Sequence, residues 1–521
     1  MTAKGTLGQL VLRLGVVLAT LAVVGCGGDH SPASTELAAV AWRGDALQLP
    51  SWQKISGKPF AYSGVPDGIN DRENSYAWSM EIFDGYLWVG TNRNVFAYMF
   101  MQPGMPKPPP EVPPMTDMRA RIYRMGLASG VWEEFYTPFD VTMGQGPVRL
   151  GGDGGYRMAK TYVTPGGQAF LFFGGLAAGS PGRPSAASLI AIDRNASRNG
   201  SAGMVRPFSA VAEKLISIRA ITEHDGKLFW ATEDMKDPKT SLGPAVFYSA
   251  DPVADFRAGV PFGKITVPPA WLQQGGAEVL DMVSYRGALY VFLTPFAADG
   301  FWCGKLKKSG ETYQWELIVG DLALGARYPP GMGRALNGGA VPVVFKDKVY
   351  VGTMDAVAFK LMNGVGTPAP GDATMGGLNG MQIFRFDRQD RWERVMPAGW
   401  IKNPRFVDLL NGFMNPANKY IWRFGVQGDV LYAGTFDIGT GTRILSEAMG
   451  VASPELRNPL GFDLYSTRNG ELWLPVSLDG FHDKYNYGTR SFVTDPESGD
   501  LFMGTANPFY GCQIWKKPAA P

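Results

Sequence analysis

The apolar and polar positions fall into short runs bounded by Gly, Asp or Asn, the pattern of β-strands joined by tight turns. Trp78 to Phe83 is followed by Asp84-Gly85 and then by Leu87-Trp88-Val89-Gly90-Thr91. Two apolar runs separated by such a turn predict a hairpin. The second run recurs as Leu171-Phe172-Phe173-Gly174-Gly175, Leu228-Phe229-Trp230-Ala231-Thr232, Leu289-Tyr290-Val291-Phe292-Leu293, Val349-Tyr350-Val351-Gly352-Thr353, Leu431-Tyr432-Ala433-Gly434-Thr435 and Leu501-Phe502-Met503-Gly504-Thr505. A Gly at the end of this strand points to close backbone approach.

Each copy sits in a larger unit. A third run follows, such as Ile122-Tyr123-Arg124, Ile383-Phe384-Arg385 or Ile514-Trp515-Lys516. A fourth often begins with Trp, as at Trp132, Trp315, Trp392 and Trp473. Four short strands per unit, repeated along the chain, predict an all-β fold, a single β-propeller with seven four-stranded blades. Six or eight blades stay open, because the copies at 171 and 289 depart furthest from the pattern. The last unit lacks a fourth run before Pro521, and Trp52-Gln53-Lys54-Ile55 is an unassigned strand near the start. The expectation is a ring closed by that N-terminal strand pairing with the last blade, which removes an open sheet edge. The aromatic residues, Trp78 and Trp422 included, are expected to fill the core between blades.

The repeats resemble propeller repeats in general. Gly174-Gly175 is similar to a kelch strand. Ser466-Thr467-Arg468-Asn469-Gly470-Glu471-Leu472-Trp473 resembles the Asp box of sialidase-like propellers, with Arg468 standing where the Asp belongs. The resemblance implies a turn that serves folding rather than catalysis.

The first residues do not follow the repeat. Lys4 and Arg13 precede an apolar stretch that is interrupted between Val16 and Val24 only by Thr20, the layout of an export signal. Leu10 to Val24 is short for a membrane span. The end, Val23-Val24-Gly25-Cys26, resembles the lipobox of bacterial lipoproteins. That resemblance implies a signal peptide at 1–25, an acylated Cys26 and a flexible tether at 26–45, with the propeller at 46–521. Gly27 after the Cys implies, by the same resemblance, the outer membrane. An ordinary cleaved signal with an unmodified Cys is the alternative.

Composition narrows the functional classes. Lys and Arg number 49 and Asp and Glu 47, a net charge of +2, so no nucleic-acid footprint is present. With three His and three Cys there is little material for zinc, haem or iron–sulfur sites, and no cofactor is expected beyond a possible Ca²⁺. Cys303 and Cys512 fall in different repeats and are expected to be free buried thiols.

Two insertions follow the second strand of different units: a Pro-rich one at 101–118, expected to be an extended spacer, and a Gly-rich one at 354–380. Both should rise from one face, the candidate contact for a protein or glycan partner. Acids or amides recur just after the second-strand Thr: Asp234, Asp355, Asp437 and Asn507. Around one channel mouth they could bind Ca²⁺ or act as acid and base on a sugar; the plainer reading is that each caps its own turn. Arg157, Arg219, Arg423 and Arg490 recur near first strands and could clamp a carboxylate or sulfate. Arg423 is one position out of step with Arg219, and strand alternation would turn it to the other face. Isolated arginines are therefore the alternative. His224 and His482 lack the elbow that a hydrolytic triad needs. The leading expectation is a lipid-anchored binding or assembly module; the competing one is a hydrolase or lyase acting on acidic polysaccharide.

Overall fold

The computed structural model describes residues 51–56, 71–95, 97, 107–114, 116–138, 148–149, 152–177, 187–209, 217–233, 244–272, 277–295, 300–355, 380–450 and 459–520. The signal, Cys26, the tether, Asp234 and residues 356–379 of the Gly-rich insertion lie outside them.

The fold is mostly β, of the propeller type. After β1 (Gln53–Lys54), the strands pair antiparallel in consecutive fours. The first set is β2 (Asn74–Phe83), β3 (Tyr86–Arg93), β4 (Ile122–Gly126) and β5 (Trp132–Tyr136). The second is β6 (Asp153–Val163), β7 (Ala169–Ala177), β8 (Ser188–Asp193) and β9 (Val205–Ser209). Next come β10 (Ser217–His224), β11 (Lys227–Glu233), β12 (Ala245–Ser249) and β13 (Gly263–Thr266). The fourth is β14 (Ala277–Tyr285), β15 (Ala288–Pro295), β16 (Trp302–Ser309) and β17 (Thr312–Val319). Then follow β18 (Asn337–Phe345), β19 (Lys348–Asp355), β20 (Ile383–Phe386) and β21 (Trp392–Met396). The sixth is β22 (Asn418–Gln427), β23 (Val430–Asp437), β24 (Leu464–Thr467) and β25 (Leu474–Ser477). The last is β26 (Gly488–Thr494), β27 (Leu501–Ala506) and β28 (Ile514–Lys517), and β28 pairs with β1 through Gln53 opposite Lys516 and Lys54 opposite Trp515. The recurring aromatic motif supplies β3, β7, β11, β15, β19, β23 and β27.

First strands touch one another in order, β2 to β6 to β10 to β14 to β18 to β22 to β26, and β26 touches β2. The motif glycines explain the spacing. A Cβ on Gly90 would lie 2.6 Å from Tyr156 Cβ, one on Gly174 would lie 2.7 Å from Ile218 Cγ2, and one on Gly504 would lie 2.6 Å from Ala77 Cβ. Each of these glycines makes room for the first strand of the neighbouring set, and Gly504 does so for the set at the start of the chain. Apolar clusters fill the spaces between sets: Trp88 and Phe135 of the first pack with Tyr156 and Phe173 of the second, and Phe502 and Ile514 of the last pack with Ala77 and Leu87 of the first. Full burial of each such side chain contributes roughly 1.5–3 kcal/mol.

Helices are short and lie in connections. The first two, α1 (Arg194–Asn199) and α2 (Pro252–Ala258), are N-capped by the side chains of Asp193 and Asp251. They are followed by α3 (Pro269–Leu272), α4 (Pro404–Leu410) and α5 (Gly439–Met449). Among the described residues no helix is long and apolar enough to cross a membrane. Cys303 and Cys512 are buried and are not joined in a disulfide.

Residues 101–106 and 115 of the Pro-rich insertion lie outside the described residues, and its described stretch 107–114 contains a turn rather than a wholly extended chain. The Val112 amide donates to the Pro109 carbonyl at 3.0 Å, forming a turn. Val112 is buried in the same cluster as Tyr76, Trp78 and Ala97. Burial of one valine, together with a hydrogen bond from Arg72 Nη2 to the Glu111 carbonyl (3.0 Å), holds the segment down. In the Asp-box-like turn, Asn469 Oδ1 accepts from the amides of Glu471 (3.0 Å) and Leu472 (2.9 Å), so the neighbouring residue does the work of the missing Asp. Arg468 instead pairs with Asp429 on the surface.

Candidate functional site

The inner strands share a local device. Six of the first strands carry a β-bulge opposite the Gly-Thr end of the second strand or its equivalent. The extra residue is Trp78, Arg157, Arg219, Leu280, Trp422 or Arg490. A bulge interrupts alternation and re-aims side chains. It brings the arginines together. The charges of Arg157, Arg219 and Arg423 all act on Arg490, and those of Arg219, Arg423 and Arg490 act on Tyr420. The four arginines thus share one electrostatic environment. Arg423 is indeed one residue past the bulge, but the bulge cancels the alternation that would have turned it away. It pairs with Asp281, which holds the same register position in β14.

Partners within the cluster are unequal. Arg219 Nη1 lies 2.6 Å from Glu278 Oε1. Arg423 also places Nη2 3.1 Å from Met158 Sδ. Arg157 sits over the Trp78 ring at 4.8 Å. Arg490, 5% exposed, lies between Trp78 (5.5 Å) and Trp422 (5.1 Å). Its Nε is buried and has no hydrogen-bond partner among the described residues. Burial, and then the charges of Arg423, Arg219 and Arg157, push its pKa well below the usual arginine value. Among the described residues, the ion pairs made by these four arginines are Arg219 with Glu278 and Arg423 with Asp281. The aromatic wall is equally buried: Tyr76 and Tyr487 share a hydroxyl–hydroxyl hydrogen bond. Burial pushes the Tyr76 pKa up to about 12 against the lowering effects of that bond and of Arg490 and Arg157.

The acid and amide set behaves differently. Asp437 Oδ1 accepts the Gly439 amide at 2.6 Å, and Oδ2 accepts Asn415 Nδ2 at 3.2 Å. Asn507 Oδ1 accepts the amides of Phe509 (3.2 Å) and Tyr510 (2.9 Å). Both cap their own turns. Asp355 is buried at the end of β19, and it and Asp437 lie within the field of buried Lys419. Burial raises the Asp437 pKa to about 7 against the opposing effects of the Gly439 amide, Asn415 and Lys419. The corresponding residue in β3 is Arg93, 1% exposed and bound to Asp71 and Glu73 at 2.8 Å each. Among the described residues no group of three or more His, Cys, Asp or Glu is arranged to hold a metal ion.

Other sequence candidates lie apart from the cluster. His482 is exposed, with Nδ1 2.6 Å from Asp479 Oδ2. His224 is buried, with Nδ1 2.9 Å from Ser284 Oγ.

Sequence reasoning missed Glu278, Asp281 and Lys419, and it read Trp78 and Trp422 only as core. It also missed a turn that precedes three first strands. Asn337, Asn418 and Asn486 each donate Nδ2 to the carbonyl six residues earlier, Gly331, Gly412 and Gly480, at 2.9–3.0 Å. The constant Gly-to-Asn spacing is a readable signal for it.

No family model matches the sequence, and no curated protein matches it. Among solved structures the chain is similar to an ancestral GH74 enzyme, with TM-score 0.47 and 12% identity over 86% of this chain and 48% of that one. It is similar to the β-propeller domain of the Trilobed protease from Pyrococcus furiosus, with TM-score 0.39 and 7% identity over 85% of this chain and 94% of that one. It is also similar to Trypanosoma rangeli sialidase, with TM-score 0.32 and 6% identity over 89% of this chain and 57% of that one. The chain thus spans about half the length of the GH74 enzyme.

Proposed function

We propose that this chain is an exported lipoprotein, anchored through Cys26 to the cell envelope, whose β-propeller binds an anionic group of an envelope glycan or protein on its axis. The propeller has seven four-stranded blades, and β1 completes the last of them. Two observations support that architecture: the pairing of β1 with β28, and the contact of β26 with β2.

The observation that carries the binding role is Arg490, buried among three other arginines with its Nε unpartnered among the described residues. A buried charge held without a counter-charge is costly. A carboxylate or sulfate on the axis supplies that counter-charge, and the fork of a guanidinium suits both groups. The own-turn capping by Asp437 and Asn507 favours binding over acid–base chemistry.

The test is thermal unfolding of the full chain in sodium sulfate against sodium chloride at equal ionic strength. Sulfate is expected to raise Tm in a saturable way, as for any ligand that binds only the native state. Equal curves in the two salts would sink the axial role. Anchoring is tested separately: Cys26→Ser should abolish incorporation of a clickable fatty acid, and persistent labelling refutes the anchor.

A further inference from the structure

We infer a second ligand site, independent of the axis, in the cavity between the outer strands β20 and β21 and the connection that carries α4; its ligand is a short acidic oligosaccharide. The cavity measures about 1010 Å³ and reaches from Arg334 and Gln382 to Trp400 and Asp408. That is the upper end of the range for pockets that hold an organic ligand of several rings.

Two of its guanidinium groups have no carboxylate partner among the described residues. Arg334 Nη1 donates to Asn337 Oδ1 (3.0 Å) and to the Gly380 carbonyl (3.3 Å), while its buried Nη2 has no partner. Arg394 donates from Nε to the Pro397 carbonyl (2.9 Å) and from Nη2 to the Ile401 carbonyl (2.7 Å). Those two bonds fix its guanidinium against the 397–401 loop, and no carboxylate among the described residues forms an ion pair with it. The third arginine in the lining, Arg385, is clamped by Glu393 at 2.6 Å and Glu471 at 2.7 Å, which removes all three from ligand binding. Asp408 is the remaining carboxylate of the lining; it acts electrostatically on both Arg334 and Arg394 and receives a 3.4 Å hydrogen bond from Asn411, while buried Asp355, outside the lining, acts on Arg334 more strongly than Asp408 does.

The apolar part of the lining is aromatic. Trp392 is nearly buried against Phe386, with ring centroids 4.5 Å apart, and forms a rigid wall. Trp400 stands on the same lining and is 81% exposed. A flat indole in water, on the same lining as two guanidinium groups that lack an ion pair, matches a sugar ring that carries a carboxylate: the ring face stacks on the indole and the carboxylate meets the Arg334 guanidinium.

The experiment is calorimetric titration of the full chain with trigalacturonate, using maltotriose as a neutral probe of equal ring number. Trigalacturonate should bind at least tenfold more tightly than maltotriose. Trp400→Ala and Arg334→Gln should each weaken it at least tenfold, and Arg490→Met should leave it unchanged, which separates this site from the axial one. Trp400 is exposed, so Trp400→Ala keeps the test valid if Arg334→Gln impairs folding. Equal affinity for the two sugars, undiminished binding by Trp400→Ala, loss of binding in Arg490→Met, or no heat with trigalacturonate up to about 1 mM would each overturn the inference.

Discussion

Two buried arginines in adjacent parts of the molecule have opposite surroundings. Arg93 ends β3 and is enclosed by Asp71, Glu73, the Asn74 side chain and the Asp117 carbonyl. Every polar edge of that guanidinium has a partner, and the arginine locks the β3 terminus to the entry of β2. Arg490, in the bulge of β26, has indole faces on its flanks and three like charges in its field. Both are almost fully removed from water. The first is a structural bridge; the second has no carboxylate bonded to it among the described residues. A buried arginine by itself therefore says nothing about role, and its counter-charges decide.

The largest expected effect is on the bridge. Arg93→Met should lower stability by about 3–5 kcal/mol, because it strands Asp71 and Glu73 without their partner. Chemical denaturation followed by tryptophan fluorescence measures this, and a loss under about 1 kcal/mol would mean that Arg93 is not the lock described. Between the sixth and last sets, Trp52 packs on Tyr432 and Phe481 and is 5% exposed. Trp52→Ala should cost about 3–5 kcal/mol if the segment holding β1 is integral to the last blade; an unchanged unfolding midpoint argues against closure there.

Arg490→Met should have a smaller effect of the other sign. Replacing an uncompensated buried charge by an apolar chain of similar length should leave stability unchanged or raise it by about 1–4 kcal/mol in chloride buffer. The same variant should lose the sulfate-dependent rise in Tm. A destabilisation comparable to that of Arg93→Met would make the two arginines equivalent and end the contrast.

The last effect concerns pH. The Asp437 pKa is raised to about 7, above its unfolded value, so the folded state holds a proton that the unfolded state releases. Its contribution is fully present below the unfolded pKa and is lost as pH rises through about 7. Asp117 has the opposite sign. Burial opposes ionisation there, but hydrogen bonds from Arg119 and the charges of Arg93 and Arg119 prevail and lower its pKa to about 2. Its contribution is present above the unfolded pKa and is lost as pH falls through about 2. Asp437→Asn should flatten the decline in stability between about pH 4 and 7. An unaltered slope would assign that decline to other groups.

Much of the strand order was legible because the turn chemistry is local. Asp84-Gly85 and Asp225-Gly226 take positive φ at both residues, as a two-residue hairpin turn requires, and the apolar runs on either side set the register. The motif glycine was legible as a close approach, although its neighbour was not: the residue that needs the space comes from the next set. The Pro-rich segment misled because its composition favours an extended chain, whereas Val112 finds a buried place that no composition rule can foresee.

Residue identity along the chain determined the hairpins, the four-strand units and which positions carry arginine, since turns and apolar alternation act over a few residues. Only the tertiary structure decided that Arg157, Arg219, Arg423 and Arg490 share one electrostatic environment and that Arg93 does not join them. The reason is that bulges re-aim side chains by an amount that alternation does not encode, and that a charge's partner can come from another set of strands, as far as 142 residues away for Arg423 and Asp281.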